Sequence, residues 1–127
     1  MGSNYYISPA PGHTWGLSLE TVGETLRNRW PDIVLEEENR APGRTVLGFA
    51  FQEGGRTRLG SYFVVPGECL VLDAIDIDIV PSVAAWFLGL TPPGVPSITY
   101  TPSNPDPTPL PERGDERAMR EIYSRLD

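Results

Sequence analysis

The chain of 127 residues contains no lysine, one histidine and one cysteine. A single thiol, Cys69, excludes an intramolecular disulfide and any cysteine-rich zinc site, so no covalent or metal staple is expected to hold the fold. No apolar run approaches the roughly 20 residues that a membrane-spanning helix needs. The opening residues Met1 to Tyr6 show no basic stretch followed by an apolar one, so the chain reads as soluble and cytoplasmic, and Met1, Gly2 and Ser3 are given no structural weight. Positive charge is scarce as well. Ten arginines stand against 17 acidic residues for a net charge of −7, which repels a phosphate backbone and excludes nucleic acid as the expected partner. No Gly-x-Ser-x-Gly elbow, phosphate-cradling glycine loop or zincin helix occurs. These absences point to a protein that is not an enzyme and uses no cofactor and no metal.

What is present suffices for a packed domain. Hydrophobic residues make up 39% of the chain, with three Trp, five Tyr and four Phe, too much aromatic mass for a disordered segment. Residues 1–127 are expected to form one domain. Residues 4 to 10 read as a first strand, closed by Pro9-Ala10-Pro11-Gly12. Ser18 is placed to cap a helix whose apolar face is Leu19, Val22, Leu26 and Trp30, and Pro31 ends it. Ile33 to Glu38 is a short strand that finishes in three glutamates. Next, Val46 to Phe51 alternates up to Gly54-Gly55, and Arg56 to Val65 runs back as the second arm of a hairpin. A two-residue turn sets its register: Phe51 opposite Arg58, Phe49 opposite Gly60, Leu47 opposite Tyr62, Ala50 opposite Leu59 and Val46 opposite Phe63. Both faces of this hairpin are largely apolar, so one is expected to carry the helices and the other to be a binding surface.

Cys69 to about Val80 reads as a further strand. Its hydrophobic parity changes between Leu72 and Ile75, which predicts a bulge near Asp73-Ala74. Continuing the register puts Asp73 opposite Gly60 and diagonal to Arg58, within reach of an ion pair. Pro81-Ser82 starts a second helix with Val83, Trp86, Phe87 and Leu90 on its buried side, and Val95 to Tyr100 is a last strand. Residues 101–112 hold five prolines and read as an extended strap leading to a C-terminal helix over 114–126. Glu116 and Arg120, like Glu121 and Arg125, have the spacing of ion pairs on that helix. The fold class is therefore α+β: a single domain with a twisted, mainly antiparallel sheet of about five or six strands and helices packed on one face.

Several groups could carry function. Asp76 and Asp78 would share one side of a strand and, with His13, could serve a small metal-dependent hydrolase. A polar outer face is the plainer reading of the same pair. Cys69 and His13 could pair as nucleophile and base, but a lone Cys within an apolar strand reads as an inert core residue. Pro102 and Pro105 have the P-x-x-P spacing. His13 and Trp15 in the Pro11–Gly16 loop suit either recognition or packing. The strongest hint is one-signed charge. Glu36, Glu37 and Glu38, together with Asp73, Asp76 and Asp78 in a region from 66 to 112 that contains no basic residue, would steer and select a basic protein partner. Trp15, Phe51 and Tyr62 are the candidate aromatic anchors among these acids.

The segments LETVGETLRNRWPDIVLEEE (19–38) and SVAAWFLGLTPPGVPSITY (82–100) resemble small actinobacterial immunity proteins encoded beside polymorphic toxins. They cover under a third of the chain. The resemblance implies a non-enzymatic protein that binds a toxin domain, with acidic residues facing a basic active site. The expected function is thus an acidic protein-binding module, an immunity or antitoxin-type inhibitor that occludes a basic partner. The metal-dependent hydrolase and a structural subunit that associates through an open sheet edge are the alternatives.

Overall fold

The computed structural model describes residues 3–38, 45–65, 68–75, 77–111 and 115–126, with the side chains of Ser3, Glu37, Glu38, Thr45, Val65, Ala74 and Ile75 outside that description. Its elements follow as β1 (Ser3–Pro9), α1 (Leu19–Arg29), β2 (Val34–Glu38), β3 (Thr45–Glu53), β4 (Arg56–Val65), β5 (Cys69–Ile75), α2 (Val80–Leu88), β6 (Ser97–Thr101), β7 (Asn104–Pro109) and α3 (Glu116–Leu126). The strands form one sheet in the order β2-β3-β4-β5-β1-β6-β7, and each neighbouring pair is antiparallel. The chain is an α+β protein.

The β3–β4 hairpin is dictated locally. Gly54 and Gly55 adopt φ of 62° and 75°, a left-handed pair whose twist matches that of the flanking strands. All five cross-strand pairs expected from that turn are observed. Phe49 lies over Gly60, where a Cβ would clash with the edge of the phenyl ring and lie 2.9 Å from the Val71 carbonyl oxygen. Position 60 is glycine because the ring occupies the side-chain volume.

All three helices cover the side of the sheet that carries Leu47, Phe49, Phe51, Tyr62, Leu70, Leu72, Tyr5 and Ile7. Ser18 caps α1 by accepting from the Thr21 N–H at 3.1 Å. Its Trp30 ring lies 4.3 Å from that of Phe51. From α2, Phe87 packs on Tyr62 at 5.9 Å. From α3, Tyr123 packs edge-on to Tyr5 at 5.5 Å and donates to Thr99 Oγ1 at 2.9 Å, and Thr99 in turn donates to the Tyr6 carbonyl at 2.8 Å. This relay satisfies the polar groups that β6 brings into the core. Asp115 accepts from the N–H groups of Arg117 and Ala118 at the start of α3, and the pairs Glu116–Arg120 and Glu121–Arg125 form at 3.1 and 2.9 Å.

The structure corrects four expectations. The 101–112 strap is not free of the sheet, because 104–109 is an edge strand paired with β6. Pro105, Pro107 and Pro109 recur with the period of a strand, so their missing N–H groups fall together on one side and the intervening donors on the other. Leu110, in phase with those donors, gives its N–H to the Ser97 carbonyl at 2.9 Å. Second, β5 ends at Ile75. Residues 77–79 form a turn and α2 begins at Val80 with Pro81 in its first turn, where a missing N–H costs nothing. Third, β5 pairs one residue away from the expected register, with Asp73 opposite Leu59 and Leu72 opposite Gly60. Asp73 therefore shares a face with Leu59, and Arg58 points the other way, buried on the helix side beside Phe51. Last, Ser3 does carry structure, since it pairs with Ile75. The expected bulge is present: Tyr5 pairs with Leu72 but Ser3 with Ile75, which leaves one extra residue in β5 at Asp73-Ala74.

Two glycines test this packing. A Cβ at Gly23 would meet Leu35 and Leu47 at ordinary contact distances of 3.5 and 3.6 Å, so Gly23→Ala is expected to stabilise the protein by about 0.5–1 kcal/mol through helix propensity. Gly60→Ala must displace the Phe49 ring and is expected to cost about 1–3 kcal/mol. Thermal unfolding of both variants checks the opposite signs.

Candidate partner-binding surface

The side of the sheet opposite the helices carries no helix among the described residues. Strand alternation and the observed registers arrange its side chains in rows. One row runs Val34, Ala50, Leu59, Asp73 across β2, β3, β4 and β5. The next runs Glu36, Gly48, Ser61, Val71, Tyr6, Tyr100 and continues onto β1 and β6. The first row contains two large hydrophobic residues left in solvent, Val34 at 66% and Leu59 at 51% exposure. They are two strand spacings apart, about 10 Å, and half-buried Ala50 lies between them. Exposed Glu36 borders this row on β2, and half-buried Asp73, itself engaged within the chain, closes it on β5.

The second row ends in a groove of about 540 Å³ lined by Tyr6, Ser8, His13, Phe63, Cys69 and Tyr100, among others. Tyr6 and Tyr100 stack at 5.1 Å with 13° between their planes. Burial pushes the Cys69 thiol up to about 11, against the smaller opposing effect of hydrogen bonding from Tyr100 and the Ile7 backbone. Cys69 and exposed His13 thus line one groove, but the thiol is held in its neutral, weakly nucleophilic form.

One wall of the groove is the 10–17 loop, and a single carboxylate anchors it. Glu68 accepts from the Trp15 N–H at 2.6 Å and the Leu17 N–H at 3.2 Å. Tyr62 donates its hydroxyl proton to the Leu17 carbonyl at 2.8 Å, with Glu68 Oε2 at 3.4 Å. Burial first, and then the neighbouring Glu68 charge, push the Tyr62 phenol well above its usual range. The clamp drives Trp15 into the core, where its Nε1–H donates to Ser97 Oγ at 3.0 Å and its ring meets Phe87 at 5.1 Å.

The anchors expected from the sequence are corrected by this packing. Trp15, Phe51 and Tyr62 are 2%, 1% and 0% exposed and present no surface to a partner, because all three lie on the helix side. Of the acids, Glu36 and Asp73 border the exposed row. Glu37 and Glu38 continue β2, opposite Leu47 and Val46, and their side chains lie outside the described residues, as does the whole of Asp76. Asp78 is exposed, but it sits in the turn before α2. His13 lies by Cys69 at one end of β5 and Asp78 follows the other end, so the structure does not bring these two together. Among the described residues no group of three His, Cys, Asp or Glu side chains is placed to hold a metal ion, and no helix is long and apolar enough to cross a membrane. Sequence reasoning missed Val34, Leu59, Tyr6 and Tyr100. The hairpin register already placed Leu59 on the second apolar face, and that was the available signal.

Two measurements check this geometry. At pH 8 the raised Cys69 pKa reduces the thiolate fraction about a hundredfold relative to an ordinary thiol, and labelling by a disulfide reagent is expected to slow accordingly and to quicken as pH rises towards 11. Glu68→Gln retains one acceptor oxygen but removes the charge, and is expected to cost about 1–3 kcal/mol in urea unfolding, with the native tryptophan emission shifting to the red in a background where Trp30 and Trp86 are replaced by Phe, as the loop loosens around Trp15. Compared with family models, curated proteins and solved structures, the chain matches none.

Proposed function

We propose that this chain is an acidic protein-binding module of inhibitor type, acting as an immunity protein or antitoxin does, which covers a basic partner protein with the helix-free side of its sheet. The observation that carries this reading is the Val34–Ala50–Leu59 row, exposed to solvent with Glu36 and Asp73 beside it. An apolar strip in water is stabilised by being covered, and carboxylates at its border select the charge of what covers it. A net charge of −7 steers the approach of such a partner from a distance. The row alone is narrower than a stable interface of about 800 Å² per partner, and the adjoining Tyr6–Tyr100 groove on the same side extends the footprint with two aromatic rings, a residue type enriched in interface cores.

The experiment is retention of a partner from lysate of the source cell by the tagged chain, washed at low and then at high salt. One stoichiometric basic protein, released by salt, is expected. Leu59→Arg places a charge in the middle of the row at an exposed position, where substitutions usually change stability by no more than about 0.5 kcal/mol, and is expected to abolish retention. Arg120→Ala, on the outer side of α3, should leave it unchanged. Retention that survives Leu59→Arg removes this surface from consideration, and the absence of any retained protein counts against the binding reading itself.

A further inference from the structure

The two edges of the sheet differ. At the β7 edge, prolines 105, 107 and 109 recur in phase, so that edge has no regular series of donors to offer a further strand. At the other edge, β2 pairs with β3 through all five of its residues, and among the described residues nothing pairs with its outer side. No proline interrupts β2, and its Val34 side chain is exposed beside that edge. An unpaired edge of this kind is a template for strand addition.

The charge of β2 decides what can pair with it. Three of its five residues are glutamates. Antiparallel pairing with a second copy, centred on the strand, would set Glu36 opposite its own counterpart, and like charges directly opposite are destabilising. We propose that β2 receives an extended basic segment of the partner protein as an eighth strand, with main-chain hydrogen bonds supplying affinity, basic side chains meeting Glu36 on the helix-free side and the alternate apolar ones falling opposite Leu35 on the other side. This inference rests on the protein-binding reading and adds the mode of docking. The added strand would extend the Val34–Ala50–Leu59 row by one position, so edge and face form one continuous surface.

The test uses the whole chain and fluorescein-labelled nine-residue peptides followed by anisotropy. A peptide alternating Lys and Val is expected to bind and to weaken about tenfold or more from low to high salt. Its Glu–Val counterpart should not bind. Two further versions of the Lys–Val peptide carry N-methyl groups on alternate amides, one in each phase. Strand addition uses only the amides that face β2, so one version should lose binding and the other retain it. Glu36→Lys combined with Glu38→Lys should reverse the preference to the Glu–Val peptide. Equal binding of both methylated versions, indifference to the double substitution, or no binding by any peptide would each overturn the edge proposal. So would a dimer seen by light scattering with β2 amides protected from exchange, since the occupant would then be a second copy. If a lysate protein is still retained and lost with Leu59→Arg while no peptide binds, strand addition fails and the protein-binding reading stands. Loss of both would remove both.

Discussion

The placement of one side chain, Trp15, depends on a carboxylate 53 positions further along the chain. Glu68, just before β5, accepts from the Trp15 and Leu17 backbone N–H groups, and this charge-assisted pair turns the 10–17 loop inward. Trp15 then reaches β6 through Ser97, α2 through Phe87 and β4 through Tyr62, whose ring lies 6.4 Å away. The start of β5, the loop after β1, the centre of β4 and the second helix are thereby fixed against one another. Removing the acid would leave two part-buried donors without their acceptor, which adds a desolvation cost to the loss of the hydrogen bonds themselves. The same clamp forms the wall of the groove on the far side of the sheet, so the core and the candidate surface share a support.

The sheet is asymmetric across its thickness and across its width. Across its thickness, one side carries three helices and nearly all the buried aromatic residues, and the other carries none among the described residues. Across its width, β7 ends the sheet in period-two prolines and β2 ends it in glutamates. These features differ in physical kind, and Val34, Leu59, Glu36 and the β2 edge lie together in one quarter of the molecule. On the helix side several charged groups are engaged within the chain: Arg29 lies 4.9 Å over the ring of Trp30 and 5.7 Å from that of Trp86, and α3 pairs Glu116 with Arg120 and Glu121 with Arg125 along its own surface.

Much of this was legible from local chemistry. The hairpin register followed from two glycines and the two-residue period of a strand, the bulge at Asp73-Ala74 from a change of hydrophobic parity, the α1 cap from Ser18, and the one-sided helical cover from the amphipathic stripes. The candidate site was legible only in part. Glu36 and Asp73 border the exposed row, whereas Trp15, Phe51 and Tyr62, read as anchors, are buried. Phe51 and Tyr62 have the parity of the helix-covered face, and which of two apolar faces a helix will cover is not encoded in a hairpin. The proline segment was misread because polyproline and strand conformations are both extended and share nearly the same ψ, and only the spacing of Pro105, Pro107 and Pro109 distinguishes them.

Sequence alone determined those properties that rest on neighbours within a few residues: turn type, caps, strand parity, ion pairs at spacing four, and the excess of acid over base. Tertiary structure decided which face was covered, whether Trp15 was buried, where β5 ended and which strands became edges. Each of these depends on contacts between residues far apart in the chain, such as Glu68 with Trp15 or Leu110 with Ser97, and no local pattern specifies a partner at that separation.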